Sequence, residues 1–288
     1  MLEKILAAAN ADDRIRGVLL GGSRANASVP PDEYQDYDIS FAVTDMKPFY
    51  NNPAWFVAQF GEPLIMQMPE LLRGAENDGN FFYLALFPDG TRIDLSFIFD
   101  EPYIDDGEPV RVLLDKDEGR GFFPAIHVNE AYWYVKPPSA VDYRSCCSNF
   151  WWILNNVAKG IARDELPYVM EMMHEVRMCL HEMLEWYIGV QHDFKVSSGK
   201  HGKYFKKYLS PALYAQYAAT FSMNDYYDLW AAIKTMCDLF HGVAPAVGTH
   251  FSYEYHQNEE DGMRVYLHSM RNAGSSIAQD ISSPCSLA

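Results

Sequence analysis

Two aspartates spaced two positions apart are the first residues of this sequence that indicate chemistry. Asp36 and Asp38 lie at the start of segment 36–43, where polar and apolar residues alternate as they do in a β-strand. Side chains two positions apart on a strand point to the same face, so the two carboxylates are expected to lie side by side. Two such charges repel unless a cation lies between them, and carboxylate oxygens are ligands that Mg²⁺ prefers. The spacing therefore predicts a divalent-metal site.

A third carboxylate and a glycine turn extend this pattern. Asp94 lies between two apolar residues in a predicted strand, a position where strand propensity disfavours aspartate. If its strand lies beside that of Asp36 and Asp38, the three carboxylates form the cluster that two-metal enzymes use for in-line attack on phosphorus. Gly22 allows the backbone to approach a phosphate, and Ser23 can donate hydrogen bonds to phosphate oxygens.

Short sequence strings around these residues carry a resemblance to a known family. They are GSRAN at 22–26, DEYQDYDISF at 32–41, DGTRIDL at 89–95, CCSNFWW at 146–152, EWYIG at 185–189 and GKHGKYFKKY at 199–208. Together they resemble the aminoglycoside 6-adenylyltransferases, the streptomycin-modifying enzymes of the nucleotidyltransferase superfamily. The resemblance extends from about residue 1 to residue 270, so it covers both halves of the chain.

This resemblance implies a reaction in which AMP passes from ATP to the 6-hydroxyl of streptomycin and pyrophosphate is released. Asp36, Asp38 and Asp94 would bind Mg²⁺ as the cofactor, with ATP as the co-substrate. Either Asp94 or a glutamate of the second half would accept the proton of the attacking hydroxyl. Ser23 and Arg24 would bind the β- and γ-phosphates, whose charge grows as pyrophosphate leaves.

The second half contains charged residues that are expected to contact the drug and the triphosphate. Glu182 and Glu185 belong to an acidic stripe on a predicted helix, which either faces solvent or attracts the guanidinium and ammonium groups of the drug. Lys200 and Lys203 lie in the one basic block of the chain. The resemblance favours contacts of these two lysines with the triphosphate, and a solvated loop is the alternative.

Asn149 and Trp152 are assigned to the acceptor site. The family usually carries a glutamate at the position of Asn149, and this difference leaves open that the protein modifies another small hydroxylated acceptor by the same mechanism. A separate alternative is a non-catalytic relative that binds a nucleotide or drug. Trp152, like Trp133, Trp151 and Trp186, is interpreted as a core residue, with stacking on adenine or a sugar as the alternative.

Two kinds of structure must position these residues. Strands are predicted at 16–20, 37–43, 81–87, 91–99 and 110–114, with a Pro-Asp-Gly turn at 88–90. The apolar spacing predicts helices at 141–160, 167–189, 211–219, 224–243 and 260–274. The fold class is therefore α+β. We expect a nucleotidyltransferase domain with a mixed β-sheet over residues 1–139, and a substrate-binding α-helical bundle domain over residues 140–288.

Composition limits the partners and the compartment. The 288-residue chain carries 39 Asp and Glu against 23 Lys and Arg, and this net charge of −16 argues against nucleic-acid binding. No apolar run approaches the ~20 residues of a membrane span, and the charged N-terminus does not resemble a signal peptide. Five cysteines without a CxxC pair predict reduced thiols. We therefore expect a cytoplasmic monomer or weak dimer, with no nucleic-acid or membrane partner.

Overall fold

The chain divides into two compact units, Met1–Tyr132 and Trp133–Ala288. The computed structural model describes residues 1–27, 29–72, 81–101, 103, 107–123, 129, 131–221 and 225–281, the last eight by their backbone alone. In the described part of the chain, no helix is long and apolar enough to cross a membrane. The sequence-based boundary at 139/140 lies seven residues after this division, directly before the first long helix of the second unit, whose N-cap is Ser139.

Within the described residues of the first unit, six strands form one mixed sheet. They are β1 (Ile15–Leu20), β2 (Tyr37–Val43), β3 (Ile65–Gln67), β4 (Phe82–Leu86), β5 (Arg92–Ile98) and β6 (Arg111–Asp115). The spatial order is β3-β4-β5-β2-β1-β6, in which β2 and β5 are parallel and the other neighbours antiparallel. The mixed sheet is confirmed. β3 has no counterpart in the predicted strands, because three residues are too few to show an alternating pattern.

Two helices cover one face of this sheet, and the polar residues point to the other face. The first unit contains α1 (Leu2–Ala11), the short α2 (Gly22–Ala25) and α3 (Pro53–Phe60). Ile5 of α1 and Phe56 of α3 are fully buried in one apolar cluster with Phe41 of β2. Because side chains alternate along a strand, Asp38 and Ser40 of β2 point away from this cluster, and both are half-buried.

The second unit is helical, as the apolar spacing predicts. Its helices are α4 (Ala140–Ala162), α5 (Leu166–Gln191), α6 (Phe205–Tyr208), α7 (Pro211–Ala218), α8 (Tyr226–Phe251) and α9 (Gln257–Ile281). α8 continues past the predicted end at residue 243 and through Pro245. Val243, Ala244 and Val247 are buried there, so tertiary packing outweighs the local cost of a proline inside a helix.

Candidate active site

The turn that follows β1 packs directly against Asp38. The backbone N–H of Gly21 donates to the carbonyl oxygen of Asp38 at 2.8 Å. Gly22 has a φ of +60°, and a Cβ built at this position would lie 1.9 Å from Oδ2 of Asp38. Both the backbone conformation and the lack of space therefore require glycine at position 22. The predicted glycine and the predicted carboxylate are thus in contact across the ends of two strands.

Asp38 and Asp94 lie opposite one another on adjacent strands. In the parallel ladder of β2 and β5, Asp38 pairs with Asp94, and Ser40 pairs with Ser96 two residues further along. Neighbouring strands are about 4.8 Å apart, so the two carboxylates start from adjacent backbone positions. Two residues further along the same strands, the hydroxyl groups of Ser40 and Ser96 share a hydrogen bond of 2.7 Å. Because β5 is the direct neighbour of β2, the sheet brings the predicted carboxylates to one edge.

Arg92 lies among these carboxylates and was absent from the predicted site. Its Nε donates to Oδ1 of Asp94 at 2.8 Å, and its Nη2 donates to Oδ2 of Asp94 at 2.5 Å. Its Nη1 lies 3.4 Å from Oδ2 of Asp36. A sequence signal for this contact existed, since Arg92 and Asp94 are two positions apart on one strand and therefore share a face.

The three carboxylates repel one another despite this arginine. Burial raises the pKa of Asp38, and the charges of Asp94 and Asp36 raise it further, while Arg92 opposes the shift. Burial also raises the pKa of Asp36, where Arg92 opposes the shift and Asp94 adds to it. A further cation at this edge would therefore stabilise the ionised forms of Asp36 and Asp38.

The donor set at this edge fits a hard divalent cation, because carboxylate oxygens are its preferred ligands. Asp36, Asp38 and Asp94 are the residues that would hold it. Among the described residues, however, no group of three or more His, Cys, Asp or Glu side chains is arranged as a metal site. Both oxygens of Asp94 face Arg92 instead. The binding of one ion by all three aspartates stays a prediction.

A cavity of about 550 Å³ opens over this part of the sheet. Asp38 and Asp94 line it together with Gly22 and with two glutamates, Glu70 and Glu108, that were not among the predicted site residues. Glu70 accepts a hydrogen bond from the backbone N–H of Phe82 at 3.0 Å, which fixes its carboxylate at the wall. Neither glutamate belongs to a motif, so only the folded chain identifies them as lining residues.

Arg24, a predicted phosphate ligand, makes its contacts within the protein. Its Nε donates to the carbonyl oxygens of Gln35 and Asp36, at 3.2 and 3.0 Å, and its Nη2 donates to Gln35 at 2.7 Å. The guanidinium carbon lies 4.0 Å from the ring centroid of Tyr37. Gln35 in turn donates to the carbonyl oxygen of Ser23 at 3.3 Å. In this conformation Arg24 fixes the backbone that leads into Asp36, and its binding to phosphates stays a prediction.

In the second unit, Glu185 and Glu182 lie on α5. Glu185 is half-buried and accepts a hydrogen bond from Oγ of Ser198 at 2.9 Å. Burial raises the pKa of Glu185, although the hydrogen bond from Ser198 opposes the shift. Partial desolvation also raises the pKa of Glu182, and the charges of Asp142 and Glu185 contribute to the same shift. The two carboxylates therefore produce a local negative potential that would attract a cationic group.

Asn149 and Trp152 lie on the surface of α4. Asn149 is exposed, and the side chain of Trp152 is 70% exposed. Trp151 and Trp186 are buried, whereas Trp133 is 47% exposed. The interpretation as core residues is therefore confirmed for Trp151 and Trp186 and wrong for Trp152 and Trp133. Adjacent helical residues lie about 100° apart, so Trp151 and Trp152 cannot both face the bundle core.

Lys200 and Lys203 are exposed at a tight turn of the second unit. Gly199, with a φ of +72°, precedes a 3₁₀ turn at Lys200–Gly202. The Nζ of Lys203 lies 5.1 Å from the ring centroid of Tyr204. Both ammonium groups are therefore at the surface of this unit, and their contact with a triphosphate stays a prediction.

Comparisons with known proteins agree with the resemblance of the short strings. The sequence profile of the streptomycin adenylyltransferase family matches residues 1–270. Aminoglycoside 6-adenylyltransferase of Bacillus subtilis (strain 168) is 36% identical over 267 residues, covering 90% of this chain and 93% of the relative. The enzyme of the same name from Campylobacter jejuni is 37% identical over 259 residues, covering 87% and 88%. The crystal structure of an aminoglycoside 6-adenyltransferase from Bacillus subtilis covers 94% of this chain and 97% of its own, with 31% identity and a TM-score of 0.45.

Proposed function

Because the chain belongs to the streptomycin adenylyltransferase family, we propose that it transfers AMP from ATP to the 6-hydroxyl of streptomycin and releases pyrophosphate. The register of two parallel strands carries this proposal, since it sets Asp38 of β2 opposite Asp94 of β5. The turn at Gly22 packs against the same carboxylate. Carboxylates paired beside a glycine turn suit attack by a hydroxyl on a phosphorus atom.

The proposed transfer makes one bond and breaks one bond. The acceptor oxygen bonds to the α-phosphorus of ATP, and the bond from that phosphorus to pyrophosphate breaks. We assign the proton of the attacking hydroxyl to Asp94, whose carboxylate lies at the cavity wall. Asp36, Asp38 and Asp94 would hold Mg²⁺, which supplies Lewis-acid stabilisation of the phosphate charge.

Three residues are proposed to donate to the phosphates of the nucleotide. Ser23 lies in α2 directly after Gly22, where its hydroxyl and N–H suit phosphate oxygens. Lys200 and Lys203 carry the positive charge that a triphosphate requires, and both are exposed. Their placement in a short turn allows the ammonium groups to reorient when ATP binds.

The acceptor is held by the helical unit. Streptomycin carries guanidinium groups, which form strong charge-assisted hydrogen bonds with carboxylates. Glu182 and Glu185 provide those carboxylates, and the exposed ring of Trp152 provides a flat surface for a sugar face. Asn149, which lies on α4 like Trp152, is a neutral amide at the position where the family usually carries a glutamate. We therefore expect weaker attraction for the drug at that position.

A coupled assay tests the assignment. The full chain is incubated with Mg·ATP and streptomycin, pyrophosphate release is followed, and the drug is analysed by mass spectrometry for an added AMP. Asp38→Asn is the matched control, since it keeps the size of the side chain and removes the charge. If no aminoglycoside of a panel releases pyrophosphate above the rate of Asp38→Asn, the protein is not an aminoglycoside adenylyltransferase.

Asn149 keeps one other acceptor class under consideration, another small hydroxylated molecule modified by the same chemistry. A thermal-shift screen with Mg and a non-hydrolysable ATP analogue separates the candidates, because a true acceptor raises Tm by mass action. A larger shift with a lincosamide or another non-aminoglycoside than with streptomycin would favour that class.

A further inference from the structure

Arg92 is a resident cation within the predicted metal site. Its guanidinium makes two parallel hydrogen bonds with both oxygens of Asp94, at 2.8 and 2.5 Å, and a third nitrogen lies 3.4 Å from Asp36. The side chains of Arg92 and Asp94 are 44% and 22% exposed. This arginine is therefore a partly hydrated group that already occupies the oxygens a metal would need.

Arg92 and a metal ion compete for the carboxylate of Asp94. The bidentate guanidinium takes one lone pair on each oxygen of Asp94, and its positive charge repels a second cation from the same carboxylate. The same guanidinium lowers the electrostatic attraction of this edge for a second cation, since its Nη1 lies 3.4 Å from Oδ2 of Asp36. An exposed ion pair of this kind adds little net stability, so its exchange for another partner is not costly.

We propose that Arg92 is a positioning residue that competes with the divalent metal for Asp94. When nucleotide phosphates bind, Arg92 leaves Asp94, and the carboxylate becomes available to the metal. The displaced guanidinium then binds phosphate oxygens, for which its planar fork is suited. Metal and nucleotide would consequently bind with positive coupling, because each favours the state in which Arg92 has left Asp94. This inference rests on the proposed function only in its assumption that a metal binds these carboxylates.

Arg14 provides a matched control within the same unit. Its Nε and Nη2 donate to the two oxygens of Asp12 at 2.8 and 2.6 Å, also two positions apart. The exposures of this pair, 47% and 18%, are close to those of Arg92 and Asp94. Arg14→Gln therefore removes an equivalent bidentate ion pair that does not involve the cavity.

The test measures Mn²⁺ binding to the full-length protein by electron paramagnetic resonance of the free ion. Wild type, Arg92→Gln, Arg92→Lys, Arg14→Gln and Asp38→Asn are compared with and without a non-hydrolysable ATP analogue. We expect Arg92→Gln to bind Mn²⁺ about fivefold more tightly without nucleotide, and to lose most of the enhancement caused by the analogue. Arg92→Lys should lie between it and wild type, and Arg14→Gln should equal wild type.

The outcomes separate this inference from the function on which it rests. If Asp38→Asn abolishes Mn²⁺ binding while Arg92→Gln binds no more tightly than wild type, the competition is overturned and the metal site remains. If Asp38→Asn leaves Mn²⁺ binding unchanged, both the metal site and the competition are overturned. An unchanged enhancement by the analogue in Arg92→Gln also contradicts the coupling.

Discussion

The Cβ that residue 22 lacks would fall 1.9 Å from Oδ2 of Asp38. The end of β1 and the start of β2 are thus fitted to one another around a single missing methyl group. The N–H of Gly21 donates to the carbonyl oxygen of Asp38 at 2.8 Å, and this hydrogen bond keeps the backbone of the two strand ends close together. The position of a candidate catalytic carboxylate therefore depends on a glycine in a different element.

Gly22→Ala should remove activity without unfolding the protein. The new methyl group must displace the carboxylate of Asp38, and a misplacement of about 1 Å can cost about 100-fold in rate. Gly90→Ala is the control, because Gly90 also has a positive φ, +82°, but nothing lies within 4 Å of its Cβ position. Both variants should lose about 1 kcal/mol of stability from the left-handed backbone. Pyrophosphate release and Tm are measured, and equal activities of the two variants would contradict this role of Gly22.

Asp38→Asn should stabilise the metal-free protein at neutral pH. The pKa of Asp38 is raised in the folded state above its ordinary value of 3.8, so the ionised form disfavours folding. The stabilisation should be complete above the raised pKa and should disappear as the pH falls below 3.8, where Asp38 is protonated in both states.

The measurement is urea unfolding in EDTA across this pH range. Asp117→Asn is a control for which the opposite change is expected, because the hydrogen bond from Arg16 lowers the pKa of Asp117 in the folded state. That variant should be less stable at neutral pH. A neutral-pH loss of stability in Asp38→Asn would show that repulsion at this edge is outweighed by contacts of the charged carboxylate.

Arg24→Met should weaken metal binding as well as nucleotide binding. The methionine keeps an apolar contact with Tyr37, but the three hydrogen bonds to the carbonyl oxygens of Gln35 and Asp36 are lost. Loss of such bonds costs enough free energy to lower Mn²⁺ affinity about tenfold through the freed Asp36. Mn²⁺ titration and the KM for ATP are both measured. A raised KM with unchanged Mn²⁺ affinity would instead assign Arg24 to the phosphates.

Glu185→Gln should raise the KM for streptomycin about tenfold, because a charge-assisted hydrogen bond to the drug becomes a neutral one. The amide can still accept from Ser198, so the local structure should persist. Glu171→Gln, an exposed change on the same helix, is the control. The KM for ATP should stay constant in both variants. A fall in kcat with an unchanged KM for the drug would identify Glu185 as the proton acceptor in place of Asp94.

The same residue predicts a pH dependence of drug binding. Burial raises the pKa of Glu185 above its ordinary value of 4.5, and only the ionised form attracts a guanidinium. The affinity for streptomycin should therefore fall as the pH is lowered through this raised pKa, and the fall should be absent in Glu185→Gln. Calorimetric titration of the drug from neutral pH down to pH 4.5, the ordinary pKa of a glutamate, measures it.

Much of this protein can be predicted from local sequence, because period-two and helical spacing are local properties. The alternation around Asp36 and Asp38 correctly gives β2 at Tyr37–Val43, and the Pro-Asp-Gly turn correctly joins β4 to β5. The five long helix predictions in the second half all correspond to helices. The family strings also identify the residues at which chemistry is expected.

The tertiary structure alone decides which of these residues meet. Local pattern cannot reveal that β5 lies parallel to β2 with Asp38 opposite Asp94, because the residues of one strand do not specify which other strand pairs with it. Nor can it show that the guanidinium of Arg24 donates to the carbonyl oxygens of Gln35 and Asp36, or that Arg92 donates to both oxygens of Asp94. These contacts depend on register and on competition between charged partners. Sequence therefore determines the elements and the chemical groups, and the packing of the sheet determines how those groups are paired.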